Sequence, residues 1–361
     1  MKALVLEDIG KLEYKDVPKP SPGKGEVLVA VKACGICGSD IPRAYREGAH
    51  NMPLIIGHEF SGCVEQTGDG VSSGLIGKRV GIFPLIPCGK CLPCQSGRYE
   101  MCRDYDYLGS RCNGGFAEYV TVPEWNLIEL PEEVTYEEAA MLEPMAVACH
   151  SARTVLPLLP GSQEPAISRP VIAVCGLGTI GTLLVMLLSD AGYKELIVIG
   201  NKQFQKETVT GLGIIEEYYC DSSKEDSYDF IMKKTNGKGA DIFFECVGSS
   251  AVASLAVSAA APGGSVCFVG NPRSDMTFEK QVYWKILRNQ LKIFGTWNSS
   301  FSGNRDNPDD DWHYVISRLE RGCIDPAKLI THRFSPEDIL SGFELMRDRK
   351  EDYIKVICTT A

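Results

Sequence analysis

The sequence has no long apolar run: its longest, Leu183 to Leu188, is far short of the ~20 residues that span a bilayer. It also lacks a dense Lys/Arg tract, and its net charge is −10. An acidic chain without a basic stripe argues against nucleic acid or an anionic membrane surface as the main partner. The opening residues Met1-Lys-Ala-Leu-Val-Leu-Glu7-Asp8 turn acidic too early for a signal peptide, so a first strand is expected there. There is no internal repeat and no low-complexity tract. Cysteine is plentiful at fifteen, but the number is odd and no export signal precedes it. Metal ligation and buried thiols in a reducing cytoplasm are therefore expected, not a disulfide scaffold.

The 361 residues, 44% of them hydrophobic, correspond to a little over two domains at ~150 residues each. The first third alternates strand patterns with glycine and proline turns. Val27, Val29, Val31 and Ala33 recur two apart, as on one face of a strand. Leu54–Gly62, Arg79–Ile86 and Phe116–Val122 read as further strands. Thr135-x-x-Glu138 has the form of a capping box, and a helix is expected after Pro144 to about Val155. A loop carrying Pro157, Pro160, Pro165 and Pro170 follows. Strands and helices then alternate: Val171–Cys175, the helix Thr179–Asp190, Glu195–Ile199, and later strands at Asp241–Val247, Ser265–Val269 and Leu291–Phe294. That succession predicts one parallel sheet. From about Thr296 the pattern is mixed again, with a helix near Trp312–Glu320, a strand near Leu329–Phe334 and a helix opened by Ser335-Pro336.

Three constellations carry chemistry. The first is Val171-Ile-Ala-Val-Cys-Gly176-Leu-Gly178-Thr179-Ile180-Gly181, a G-x-G-x-x-G between an apolar strand and a helix. Gly176 suits a tight turn, Gly178 the approach of a pyrophosphate, and Gly181 the packing of helix on strand. Gly176, Gly178, Thr179, Ile180 and Gly181 are thus candidate nucleotide-binding residues. The second is Cys88-x-x-Cys91-x-x-Cys94-x7-Cys102, enough thiolates for a closed tetrahedral zinc site, with an iron–sulfur cluster as the rival. The third is dispersed: Cys34-Gly-Ile-Cys37-Gly-Ser39-Asp40, Gly57-His58-Glu59 and Leu142-Glu143-Pro144. A thiolate, an imidazole and a carboxylate can hold zinc with one position open, whereas Cys34-x-x-Cys37 alone suggests a redox pair.

Together these motifs resemble the zinc-containing medium-chain dehydrogenase/reductase family over essentially the whole chain. The polyol and sugar-phosphate branch is matched by Cys37-Gly-Ser-Asp-Ile-Pro-Arg43, Gly48-Ala-His50, Gly57-His-Glu-Phe-Ser-Gly62, and Tyr105-Asp-Tyr-Leu-Gly-Ser-Arg111 leading into Gly114-Gly-Phe-Ala-Glu-Tyr119. The resemblance implies an α/β fold: a β-rich GroES-like catalytic domain from residues 1–150 and 296–361, around a Rossmann domain at 151–295. It implies catalytic zinc on Cys37, His58 and Glu143, with Glu59 able to enter or leave the coordination sphere, and structural zinc on Cys88, Cys91, Cys94 and Cys102. It also implies a homodimer or homotetramer.

The implied reaction is oxidation of a secondary alcohol of a polyol or polyol phosphate to a ketone, with hydride passing to NAD(P). Zinc would act as Lewis acid and Ser39 would take the hydroxyl proton. Many relatives continue that relay through a histidine where this chain has Pro42, so water or Glu59 must complete it. Arg43 and Arg111 are candidates for gripping a phosphate, and Trp297 and Asn298 for lining the substrate pocket. The carboxylate expected about 20 residues beyond the glycines is missing. The strand ends Ile199-Gly200-Asn201-Lys202, which removes a repulsion and adds a cation, favouring NADP; Asn201 holding the ribose of NAD is the alternative. The rival readings are a sorbitol-dehydrogenase-like enzyme on an unphosphorylated polyol, and a catalytically silent nucleotide-binding sensor.

Overall fold

The computed structural model describes residues 1–156, 170–193, 195–303 and 309–360. The loop expected around Pro157, Pro160 and Pro165 lies outside the described residues. The chain forms two compact units, Met1–Ala146 with Ser299–Ala361, and Val147–Asn298.

In the first unit the strand Glu26–Ile36 is the hub of a seven-stranded sheet. It pairs with Glu59–Thr67, with Tyr119–Pro123 and with the C-terminal strand Lys355–Thr359. The C-terminal strand thus joins a sheet built mostly from strands within residues 26–129, with Val356 opposite Ile36 and Cys358 opposite Cys34. Leu28 is as buried as Val27 and Val29, because the strand has a register shift between Leu28 and Val29 and is covered on both faces. A separate three-stranded sheet joins Lys11–Asp16, Lys2–Asp8 and Leu54–Ile55.

The strand expected over Leu54–Gly62 is in fact two, Leu54–Ile55 and Glu59–Thr67, in different sheets. The break is at Gly57, whose φ of +99° favours glycine and whose missing Cβ leaves room for Phe116 and Cys34. That break presents His58. Arg79–Ile86 likewise divides, into Arg79–Ile82 and Leu85–Ile86, at Phe83-Pro84. The capping box forms: the Glu138 amide donates to Thr135 Oγ1 at 3.2 Å and the Thr135 amide to Glu138 Oε2 at 2.8 Å. The following helix, Leu142–Val155, begins before Pro144 because a proline in the first turn forfeits no helical hydrogen bond. Ser335 caps a short 3₁₀ turn, Pro336–Asp338, ahead of the helix Ile339–Asp348.

The second unit is a six-stranded parallel sheet in the order Tyr219–Asp221, Ile197–Gly200, Ile172–Cys175, Ala240–Glu245, Ala260–Phe268, Lys292–Gly295. The chain starts in the middle and reverses direction of growth between Ile172–Cys175 and Ala240–Glu245. That is the doubly wound arrangement, whose ligands bind beyond the strand ends at the switch point. Tyr219–Asp221, only three residues long, carries no periodicity of its own and was not anticipated. Among the described residues no helix is long and apolar enough to cross a membrane.

Candidate active site

Cys37 follows the end of the hub strand, His58 sits in the break after Gly57, and Glu59 opens the next strand. Their donor atoms lie within 4.8 Å of one another. Cys34, in contrast, packs into the core toward Gly57 and Phe116 and belongs to no such group, so Cys34 and Cys37 do not form a redox pair here. Asp40, fully buried, organises the cluster. Its Oδ2 accepts from the Cys37 amide at 3.0 Å, and its Oδ1 accepts from Arg43 Nη1 at 2.5 Å and lies 3.4 Å from His58 Nδ1. Burial opposes charge on His58, but Asp40 and then Cys37 outweigh it and raise the imidazole pKa well above its ordinary value. The enclosed His58 Nδ1 makes no hydrogen bond. This is an environment built to receive positive charge, and thiolate, imidazole and carboxylate donors suit zinc. Ser39 Oγ donates to Cys37 Sγ at 3.2 Å.

The two carboxylates are held by different partners. Glu59 pairs with the buried ammonium of Lys355. Glu143 stands outside the group of three and accepts at Oε1 from the Tyr107 hydroxyl at 3.0 Å. Burial pushes the Glu143 carboxyl up to about 7. Burial and then Glu143 itself push the Tyr107 phenol well above its usual range, so it stays a donor.

Cys88, Cys91, Cys94 and Cys102 also converge within 4.8 Å, with Cys91 Sγ 3.4 Å from Cys94 Sγ and 3.8 Å from Cys102 Sγ. Tetrahedral zinc with bonds of about 2.3 Å places its sulfurs roughly 3.8 Å apart. The spacing accommodates one ion and is too tight for a multi-iron cluster. Gly89 and Gly97 turn the loop with φ of +68° and +71°. Backbone N–H groups of Arg103 and Cys94 lower the Cys91 thiol to about 6, while burial raises Cys94 to about 12.

In the second unit the three glycines differ as their expected roles require. A Cβ on Gly176, at φ +101°, would meet Val247 at 2.6 Å, and one on Gly181 would lie 1.9 Å from the Gly176 carbonyl oxygen. One on Gly178 meets nothing within 4 Å, which leaves its face open beside Thr179 and Ile180 at the helix start. Gly200 ends its strand, and Asn201 and Lys202 after it are exposed. Gln205 bridges this turn, accepting from the Asn201 amide at 3.1 Å and donating to the Leu177 carbonyl at 3.1 Å.

Of the expected substrate contacts, Arg43 is engaged by Asp40, and Arg111 donates to the Tyr105 carbonyl at 3.0 Å with its guanidinium 4.1 Å from the Tyr105 ring centroid. Trp297 is well exposed, whereas Asn298 is buried with φ of +58°.

Comparison with known proteins agrees with this geometry. Residues 23–132 match the alcohol dehydrogenase GroES-like domain, and residues 179–321 match zinc-binding dehydrogenase. Galactitol 1-phosphate 5-dehydrogenase of Escherichia coli K12 is 30% identical over 93% of this chain and 94% of its own. The chain belongs to the zinc-containing medium-chain dehydrogenases of the polyol branch. It is an NAD(P)-linked alcohol dehydrogenase with a GroES-like domain and a Rossmann-type sheet. This dehydrogenase is also 33% identical to L-threonine 3-dehydrogenase of Bacillus subtilis, over 96% of this chain and 95% of that one. A solved zinc-binding dehydrogenase from Sinorhizobium meliloti 1021, bound to NADP, superimposes with a TM-score of 0.86 at 27% identity, covering 99% of both chains. A short chain alcohol dehydrogenase from Escherichia coli CFT073, complexed with NADH, gives 0.86 at 29%, covering 100% of this chain and 99% of that one.

Four positioning residues of this dehydrogenase had no role assigned from sequence: Asp40, Tyr107, Gln205 and Lys355. Only Lys355 carried a signal of its own, as a lysine inside the apolar run Ile354-Lys-Val-Ile-Cys358.

Proposed function

We propose that this dehydrogenase oxidises a secondary alcohol of a polyol or polyol phosphate, with galactitol 1-phosphate as the reference substrate, and passes hydride to NADP in preference to NAD. The observation that carries the reading is the convergence of Cys37, His58 and Glu59. Cys37 and His58, with a carboxylate from Glu143 or Glu59, would hold a catalytic zinc, and the four-cysteine loop a structural one. When bound, the catalytic ion supplies Lewis acidity that makes a substrate hydroxyl easier to deprotonate. Ser39 Oγ donates a hydrogen bond to Cys37 Sγ at rest and has lone pairs free to accept from the substrate hydroxyl; as it takes that proton it would release its own onward. With Pro42 following, the proton leaves through water or Glu59.

Gly176, Gly178, Thr179, Ile180 and Gly181 would cradle the pyrophosphate, with Gly200, Asn201 and Lys202 around the adenosine ribose. No carboxylate at Gly200 opposes a 2′-phosphate, and Lys202 adds a cation, which supports NADP. Arg43 or Arg111 would take a substrate phosphate, with Trp297 and Asn298 lining the pocket. A second reading, an unphosphorylated polyol, is favoured by the engagement of both arginines within the protein. Self-association as a homodimer or homotetramer is supported by the exposed edge strand Lys292–Gly295 and by exposed Tyr283, Trp284 and Leu287 on a nearby helix.

A panel of polyols and polyol phosphates, assayed by absorbance of the reduced nicotinamide with either cofactor, tests the reading. Turnover of galactitol 1-phosphate above galactitol supports it. Turnover of free polyols alone selects the second reading, and none on any polyol overturns both.

A further inference from the structure

Tyr107 is placed with unusual care for a loop residue. It ends the two-residue strand Asp106–Tyr107, which pairs with Leu85–Ile86, so the four-cysteine loop springs from this short ladder. Leu108 N donates to the Pro84 carbonyl at 2.9 Å. The Tyr107 carbonyl accepts from the amides of Ser110, Arg111 and Cys112 at 3.1, 2.9 and 3.2 Å. Its ring meets His58 edge-on, with centroids 5.8 Å apart at 66°. With backbone and ring both fixed, its hydroxyl can reach Glu143 Oε1 at 3.0 Å without being ordered at the moment of use.

We propose that Tyr107 is a positioning residue that fixes which oxygen of Glu143 faces the Cys37–His58 centre. A phenol donates one hydrogen bond, and a carboxylate has two oxygens. Oε1 accepts from Tyr107, which orients the carboxylate and makes Oε2 the less encumbered oxygen, so Glu143 acts through that one. A carboxylate free to offer both would crowd the coordination position that an alcohol substrate needs. Outer hydrogen-bond partners of this kind are worth about 10- to 100-fold in metal affinity or activity.

The inference rests on the proposed metal centre, and its test separates the two. Cobalt is titrated into the dehydrogenase stripped of its exchangeable ion, and the visible spectrum and cobalt retention against a chelator are recorded. Failure of the wild type to bind cobalt, or binding unchanged by Cys37→Ala, overturns the metal-centre reading itself. Tyr107→Phe keeps the ring against His58 and removes only the hydroxyl. It should lower the intensity of the visible bands, because a carboxylate freed to offer both oxygens raises the coordination number, and shift cobalt retention about tenfold. In a Glu143→Gln background the same change should have little further effect. A Tyr107→Phe spectrum and retention equal to wild type, or an equal change in the Glu143→Gln background, overturns the proposal.

Discussion

Lys355 Nζ donates to Glu59 Oε2 with both side chains sealed from solvent, at 1% and 2% exposure. The ammonium also donates to the Ile36 carbonyl at 3.2 Å. The pair exists because residue 35 is glycine. A Cβ there would lie 2.4 Å from Glu59 Oε2 and 2.6 Å from Lys355 Cε. Burial opposes the charge on Lys355, but Glu59 and then Cys37 raise its pKa above the ordinary value. The C-terminal strand thus sets a fixed cation behind a carboxylate of the proposed metal centre.

Removing one partner of a buried pair costs about 3–5 kcal/mol, because the other charge is left uncompensated. Lys355→Met should therefore destabilise the metal-stripped protein by that order. An added divalent ion beside Glu59 should recover part of the loss, so zinc should raise the melting temperature more in the variant than in wild type. Differential scanning fluorimetry with and without zinc measures this; equal zinc-induced shifts would show that Lys355 does not govern Glu59.

The two metal sites should be separable. Cys37→Ala is expected to lose one zinc and all turnover while retaining the fold. Cys91→Ala should lose the other zinc and thermal stability, since a closed thiolate site contributes directly to folding. Metal analysis of wild type and both variants, beside melting curves, reads the outcome. One zinc in wild type, or an iron–sulfur chromophore, contradicts the assignment.

At the nucleotide site, Gly200→Asp should shift preference from NADP toward NAD by restoring a carboxylate opposite the 2′ position. The new Cβ would lie 2.8 Å from Gln205 Oε1 and from the Tyr219 hydroxyl and 3.0 Å from Leu177 Cδ1, so these side-chain ends must shift to admit it. The ratio of kcat/KM for the two cofactors is the measurement. A wild type that already prefers NAD more than tenfold, with the ratio unchanged in the variant, refutes the argument.

The arginines should behave differently. Arg43 neutralises buried Asp40, which in turn holds Cys37 and lies against His58, so Arg43→Ala should depress activity on every substrate. Among the described residues the Arg111 side chain meets a carbonyl and a ring face, which leaves further donors for a ligand. If it grips phosphate, Arg111→Ala should lose roughly ten- to hundredfold in kcat/KM on galactitol 1-phosphate and little on galactitol, the loss of one charge-assisted contact of about 1.5–3 kcal/mol. Equal losses on both substrates would make Arg111 structural.

Local rules by themselves determined much of this molecule. The Thr135–Glu138 capping box, the helix Thr179–Asp190 and the glycines before it depend on neighbours a few residues apart, and their side chains and turns were legible in order. So was the four-cysteine loop, whose ligands lie within one short segment. The dispersed centre could be suspected only through its motifs, because Cys37, His58 and Glu143 are remote in sequence. Tertiary structure decided how Leu54–Gly62 breaks to present His58, since the break depends on Phe116 and Cys34 crowding Gly57. It likewise decided that Lys355 stands behind Glu59 and Tyr107 beside Glu143. Such partners are chosen by sheet pairing and loop closure over long separations, and a buried charge or hydroxyl is stable only where the fold supplies its complement.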